Sequence, residues 1–185
     1  MVKITISGFP GSGKTSVAKR LAKKFGCKFY SMGDLRGKMA VDRGISLNEL
    51  NKIGEVASWT DEDVDLYQRE LGEKEDNFVI EGRLSYFMIP HSIKIFLKVD
   101  LREGAKRIFG NQRSDEEHVD SVEEMMEAIK KRILSDKKRY AKYYGVNCYL
   151  ESQYDVVINS TDISIADVVS LIQNKIEEKE NPRNS

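Results

Sequence analysis

Neither sign of charge dominates this chain. Thirty Lys and Arg stand against thirty Asp and Glu, so the sequence as a whole lacks the basic footprint of a nucleic-acid binder or of a protein held on an anionic membrane. Cysteine is scarce. Cys27 and Cys148 form no metal or redox spacing, which excludes a disulfide scaffold and a zinc-stapled lid; both are expected as small buried residues in a reducing compartment. The two histidines, His91 and His118, have no partner pattern. No apolar run approaches the ~20 residues of a membrane span, and no signal-peptide pattern precedes the first apolar stretch. No repeat or low-complexity tract interrupts the 185 residues, a length that suits one domain with a substantial core. The expectation is a cytoplasmic monomer with neither nucleic acid nor membrane as partner.

What is present begins at the N-terminus. Residues 8–15, Gly-Phe-Pro-Gly-Ser-Gly-Lys-Thr, follow an apolar run, Val2 to Ile6, and lead into a helical pattern from Ser16 to Phe25. Strand, glycine-rich turn and helix in that order make a P-loop. Such a loop turns successive backbone N–H groups toward phosphate oxygens, and the helix N-terminus adds its unpaired donors and the positive end of its dipole. The nucleotide-binding candidates are therefore Ser7, Gly8, Phe9, Pro10, Gly11, Ser12, Gly13, Lys14, Thr15 and Ser16. Lys14 is placed to reach the β- and γ-phosphates, and the Thr15 hydroxyl to ligate Mg²⁺.

Further along, the pattern predicts short strands at 27–31, 77–81, 93–99 and 154–159. Helices are predicted from 33 to 43, from Ser46 with Glu49 completing a capping box, from 61 to 71, from 101 to 109 with Asp100 as cap, from 121 to 144 and from 164 to 176. The charged tail 177–185 reads as frayed. Alternating strands and helices around the P-loop describe a three-layer α/β/α fold with a five-stranded parallel sheet and ligands at the strand carboxyl edge. The core is assigned to residues 1–32, 76–109 and 145–178. Residues 33–75 form a strandless helical insertion, and the polar stretch 110–120 a short lid ahead of the helix 121–144.

Charged residues gather where this fold puts ligands. Asp34 and Arg36 follow the second strand; Asp34 fits a helix cap equally well. Glu81 and Arg83 end the third strand, where Glu81 can hold Mg²⁺ through water and Arg83 a second phosphate. On the long helix Arg132, Asp136 and Arg139 are spaced i, i+4, i+7 and share one face. A carboxylate between two arginines is either a structural ion-pair cluster or an organised anion site. Arg107 and Arg113 flank the polar loop. Trp59 reads as packing. No strong general base stands out, which suits an acceptor that is already ionised, such as a phosphate.

These residues carry a resemblance. The whole chain, over roughly residues 1–175, resembles the nucleoside monophosphate kinases, most closely archaeal-type cytidylate kinases. The stretches that carry it are GFPGSGKTS at 8–16, SMGDLR at 31–36, IEGR at 80–83, KRIFG at 106–110 and RILSDKKRY at 132–140. The resemblance implies transfer of phosphate from ATP, with Mg²⁺, to CMP and dCMP. It makes residues 37–75 the monophosphate-binding region, Arg107 a contact of the ATP base, and Asp34, Arg36, Arg83, Arg132, Asp136 and Arg139 contacts of the monophosphate. It gives Lys14, Arg132 and Arg139 catalytic roles and puts Arg113 in the lid. The sequence departs from the bacterial Gly-Arg-Asp pattern, with Leu84 where the aspartate would stand. An adenylate-kinase-like or other small-molecule kinase is the alternative. A nucleotide-binding switch is disfavoured by the lack of Asn-Lys-x-Asp and Asp-x-x-Gly motifs at the expected places.

Overall fold

The computed structural model describes residues 2–112 and 118–180. The chain runs β1 (Lys3–Gly8), α1 (Lys14–Phe25), β2 (Lys28–Ser31), α2 (Met32–Asp42), α3 (Leu47–Val56), α4 (Trp59–Lys74), β3 (Phe78–Glu81), α5 (Ser85–Met88), β4 (Ile93–Lys98), α6 (Leu101–Phe109), α7 (Val122–Tyr144), β5 (Val156–Asn159) and α8 (Ile165–Glu180). The five strands form one parallel sheet in the order β2-β3-β1-β4-β5. The expected architecture is present. α8 continues through 177–180, where a frayed tail was expected, and the one-turn helix α5 escaped the periodicity because it is too short to show any.

Strand alternation builds two cores. Ile4, Ile6, Val79, Ile95 and Leu97 face α1 and α8; Phe78, Ile80 and Phe96 face the opposite layer, with Val64, Tyr140 and Tyr149. Period-two geometry makes this inevitable once both faces of a parallel sheet are covered. α1 presents Val17, Ala18, Leu21 and Ala22 to the sheet, and it stops where Gly26 takes φ 60° and caps the carbonyls of Ala22 and Lys23. The Ser46–Glu49 capping box forms as expected, and Asp100 accepts from the N–H groups of Arg102 and Glu103. Asp34 is not a cap. Ser31 is, its hydroxyl accepting from Asp34 N–H at 3.1 Å.

The same register positions the site. Ile6 and Ser31 both pair with Glu81, so β2 and β3 end level while β1 runs two residues further, into the P-loop. Cys148 is buried as expected, whereas Cys27 is half-exposed. Trp59 is no core residue: it is 39% exposed, with the Arg43 guanidinium 5.1 Å from its ring centre.

Candidate active site

A cavity of about 710 Å³ opens along the carboxyl edge of the sheet, within the size range of small-molecule sites. One end is the P-loop. Gly11 holds φ 77°, and a Cβ there would sit 2.3 Å from Gly104 O, so the loop backbone lies directly on the backbone of α6. Gly8 holds φ 149°, and its Cβ would meet Leu97 O at 2.2 Å. Neither position admits a side chain. Pro10, Gly11, Gly13, Lys14, Thr15 and Ser16 line the cavity. The remaining P-loop candidates support from behind. Ser7 and Ser12 are buried, Gly8 O accepts from Arg83 Nη1 at 2.7 Å, and the Phe9 ring stacks on Tyr149 at 5.2 Å.

Lys14 Nζ donates to Phe9 O at 3.0 Å. Its pKa is pushed down to about 7, first by burial and then by the charges of Arg83 and Arg132, which outweigh Glu81 and Asp136. Lys14 is only half-buried and its ammonium faces the open cavity, so water moderates this depression. Beside it, Glu81 Oε1 accepts from Ser31 Oγ at 2.6 Å and from Thr15 Oγ1 at 3.2 Å. Two hydroxyls and a carboxylate converging at the P-loop threonine are hard oxygen donors of the kind Mg²⁺ takes. Ser31 was not among the expected site residues; only the strand pairing brings it there.

The other end is a network of ion pairs. Arg83 Nε donates to Asp136 Oδ2 at 3.0 Å. Arg139 Nη2 donates to Asp136 Oδ1 at 3.2 Å, and its Nε stands 3.3 Å from Asp61 Oδ2. Arg36 Nη1 donates to Asp61 Oδ1 at 2.7 Å and to Thr60 O at 2.6 Å, while its Nε donates to Asn51 Oδ1 at 2.9 Å. Tyr149 adds its hydroxyl to Asp136 Oδ2 at 2.7 Å. Burial alone would raise the Asp136 pKa, but Arg83, Arg139 and Arg132 hold it below the ordinary range. Asp136 is thus fixed as an anion, and it and Asp61 each pair with two guanidiniums.

Arg36, Arg83, Arg132, Asp136 and Arg139 all line the cavity, so these sequence-predicted residues converge, with Asp136 and Arg139 forming an ion pair. Arg139 is 3% exposed and locked in the network, whereas Arg132 is half-buried and its charge is felt by both Lys14 and Asp136. Asp34 does not join them: it is exposed on the first turn of α2, outside the cavity lining. Arg107 lies at the P-loop end beside Ile108, Asn111 and Ile165, anchored to Ser160 O at 3.0 Å and Thr161 O at 2.7 Å. Arg113 lies outside the described residues.

Asp61, Asn51 and Tyr149 were missed. Asp61 had a sufficient local explanation, an acid in the first turn of a helix. The signal that could have found it is Asp61, Asp65 and Gln68 at i, i+4, i+7 beside Val64, polar residues on a helix's buried face.

Residues 3–162 match the model of the cytidylate kinase-like family. A cytidylate kinase of Methanocella arvoryzae is 37% identical over 95% of this chain and 97% of its own length. One of Archaeoglobus fulgidus is 35% identical over 96% of each. Among solved structures, a shikimate kinase of Bacteroides thetaiotaomicron superposes with a TM-score of 0.66 at 19% identity, covering 95% of this chain and 98% of that one; at that identity the likeness shows the P-loop kinase fold alone. A P-loop facing a carboxylate-braced arginine cluster, and a match over most of the chain, lead to one conclusion: this protein belongs to the cytidylate kinase-like family.

Proposed function

We propose that this protein transfers the γ-phosphoryl group of ATP to the 5′-phosphate of CMP, with dCMP as a second acceptor. The observation that carries the reading is the pairing of Asp61 and Asp136 with Arg36, Arg83 and Arg139 opposite Lys14. Guanidiniums held in a fixed fork recognise a phosphate bidentately at little further ordering cost.

An oxygen of the acceptor phosphate attacks the γ-phosphorus, and the bond from that phosphorus to the bridging oxygen of ADP breaks. The attacking oxygen is already anionic, so no proton need be removed first. Positioning and charge neutralisation then supply the catalysis. The P-loop N–H groups and Lys14 hold the donor phosphates; Arg36, Arg83 and Arg139 hold the acceptor. Arg132, whose charge reaches both Lys14 and Asp136, stabilises negative charge on the group in transit. Arg107 with Ile165 supports the donor base. Mg²⁺ when bound neutralises the β- and γ-phosphates, and Thr15, with Glu81 through water, would hold it. A triphosphate beside Lys14 restores the ammonium form that burial disfavours.

The test is ADP release measured with ATP and Mg²⁺ and each of CMP, dCMP, UMP, AMP and shikimate. CMP should give the highest kcat/KM. Turnover with no monophosphate would overturn the reading.

A further inference from the structure

Tyr149 touches both ends of the cavity without lining it. It follows α7, which ends where Gly145 takes φ 67°. Asn147 then fixes the segment: its Oδ1 accepts from Tyr149 N–H at 3.1 Å and its backbone carbonyl from Leu150 N–H at 3.0 Å. The Tyr154 hydroxyl donates to Cys148 O at 2.6 Å. Tyr149 is itself buried, so its ring stands on a fixed stretch of backbone.

Ring and hydroxyl have different partners. The ring lies nearly parallel to that of Phe9, at an interplanar angle of 14°, and Phe96 stands edge-on to both. Phe9 is the P-loop residue whose carbonyl accepts from Lys14 Nζ. The hydroxyl donates to Asp136 Oδ2 at 2.7 Å. That oxygen also accepts from Arg83 Nε, and Oδ1 accepts from Arg139 Nη2. The terminal torsion of an aspartate is soft, so two long guanidinium side chains leave the carboxylate able to rock. A third donor on a rigid mount fixes its plane. The hydrogen bonds of Arg83 to described residues use Nε and Nη1, which leaves Nη2 for a ligand. A buried tyrosine needs a partner for its hydroxyl, but a carbonyl suffices, as Tyr154 shows. Tyr149 spends its hydroxyl on the carboxylate that aims two arginines.

Resting on the function proposed above, we infer that Tyr149 is a positioning residue for phosphoryl transfer: its hydroxyl aims Arg83 at the acceptor phosphate through Asp136, and its ring backs the P-loop through Phe9. The two roles are separable, because one belongs to an oxygen atom and the other to a ring. No proton of Tyr149 is transferred. Burial keeps the phenol protonated against the opposing charge of Arg83, so it stays a hydrogen-bond donor throughout.

The experiment measures ADP formation with CMP and ATP varied in turn, below the melting temperature of each protein. Tyr149→Phe removes one atom and keeps the stack. Its KM for CMP should rise about tenfold, the worth of one hydrogen bond to a charged group, with KM for ATP within about twofold of wild type. Tyr149→Leu removes the stack as well and should also raise KM for ATP about threefold. In an Arg83→Lys background, where no planar fork remains to be aimed, Tyr149→Phe should cost about twofold or less. A merely structural tyrosine would lower the melting temperature and leave both KM values alone. That result, or a Tyr149→Phe protein whose two KM values rise alike, or single effects that simply multiply in the double variant, overturns the inference and leaves CMP phosphorylation standing. Wild-type protein that phosphorylates no monophosphate overturns the proposed function and this inference with it.

Discussion

At the P-loop end the groups facing the cavity are largely backbone, and the residues that shape them have little or no side chain: Gly8 and Gly11 sit where a Cβ cannot. At the opposite end the facing groups are long side chains from α2, α7 and the end of β3, and the guanidiniums of Arg36, Arg83 and Arg139 are each held by a carboxylate. One end is made rigid by chain geometry, the other by ion pairs. Function and stability therefore separate at the first end and coincide at the second. Removing a group from the P-loop end costs the interaction with ligand. Removing one from the arginine cluster also leaves a buried charge unpaired, which costs far more than an exposed pair is worth.

The largest effect is expected from Asp136→Ala. It strips Arg83, Arg139 and Tyr149 of their shared acceptor and should lower the unfolding free energy by about 3–5 kcal/mol in urea denaturation. A loss below ~1 kcal/mol would mean that the cluster is not what holds α7 to the sheet edge.

Lys14→Ala should do the reverse. Transfer should fall at least ~10²-fold, while the nucleotide-free protein melts no lower than wild type. The sign follows from proton binding. With its pKa pushed down from 10.5 to about 7, Lys14 binds fewer protons folded than unfolded between those values. The penalty it places on folding therefore grows as pH falls through that window and is complete below it. The stability advantage of the variant should shrink as pH rises from 7 toward 10.5. A lower melting temperature at pH 7 would show Lys14 to be part of the scaffold.

Arg132 and Arg139 sharpen the contrast within one helix face. Arg132→Ala should lower kcat about tenfold, equivalent to about 1.4 kcal/mol, with melting temperature and ATP affinity nearly unchanged. Arg139→Ala should destabilise the protein first. Identical behaviour in melting curves and kinetics would erase the distinction drawn from their burial.

The smallest effect concerns Asp65. Its pKa is raised from 3.8 to about 6, so the folded state keeps a proton that the unfolded state has lost, and stability falls as pH rises across that window. Asp65→Asn lacks this dependence. It should gain on wild type by about 1 kcal/mol between pH 4 and pH 7, discounted for the open cavity nearby. A pH-independent difference would show that burial does not hold a proton on Asp65.

The same contrast explains what was legible in the sequence. The P-loop and the sheet depend on local pattern: glycines at fixed offsets, apolar alternation, caps such as Ser46 and Asp100. The i, i+4, i+7 spacing exposed Arg132, Asp136 and Arg139 as one face, and Glu81 and Arg83 stood at a strand end. What holds the arginines was not legible, because Asp61, Asn51 and Tyr149 come from three other places in the chain. Their meaning exists only once α3, α4 and the segment after α7 pack together. Asp34 failed for the opposite reason. It lies close in sequence to Arg36, but a helix turns the two onto different faces.

Arg83 has one further consequence. Its Nη1 bonds Gly8 O in the P-loop, and its Nε bonds Asp136 in the cluster. A single planar ion thus ties the P-loop to the arginine cluster. On the proposed function, an acceptor phosphate that drew Arg83 toward it would pull on the loop that holds the donor. Any change in acceptor affinity caused by the donor would then be matched, by the same factor, in the other direction, and one side chain would couple the two substrates before either had reacted.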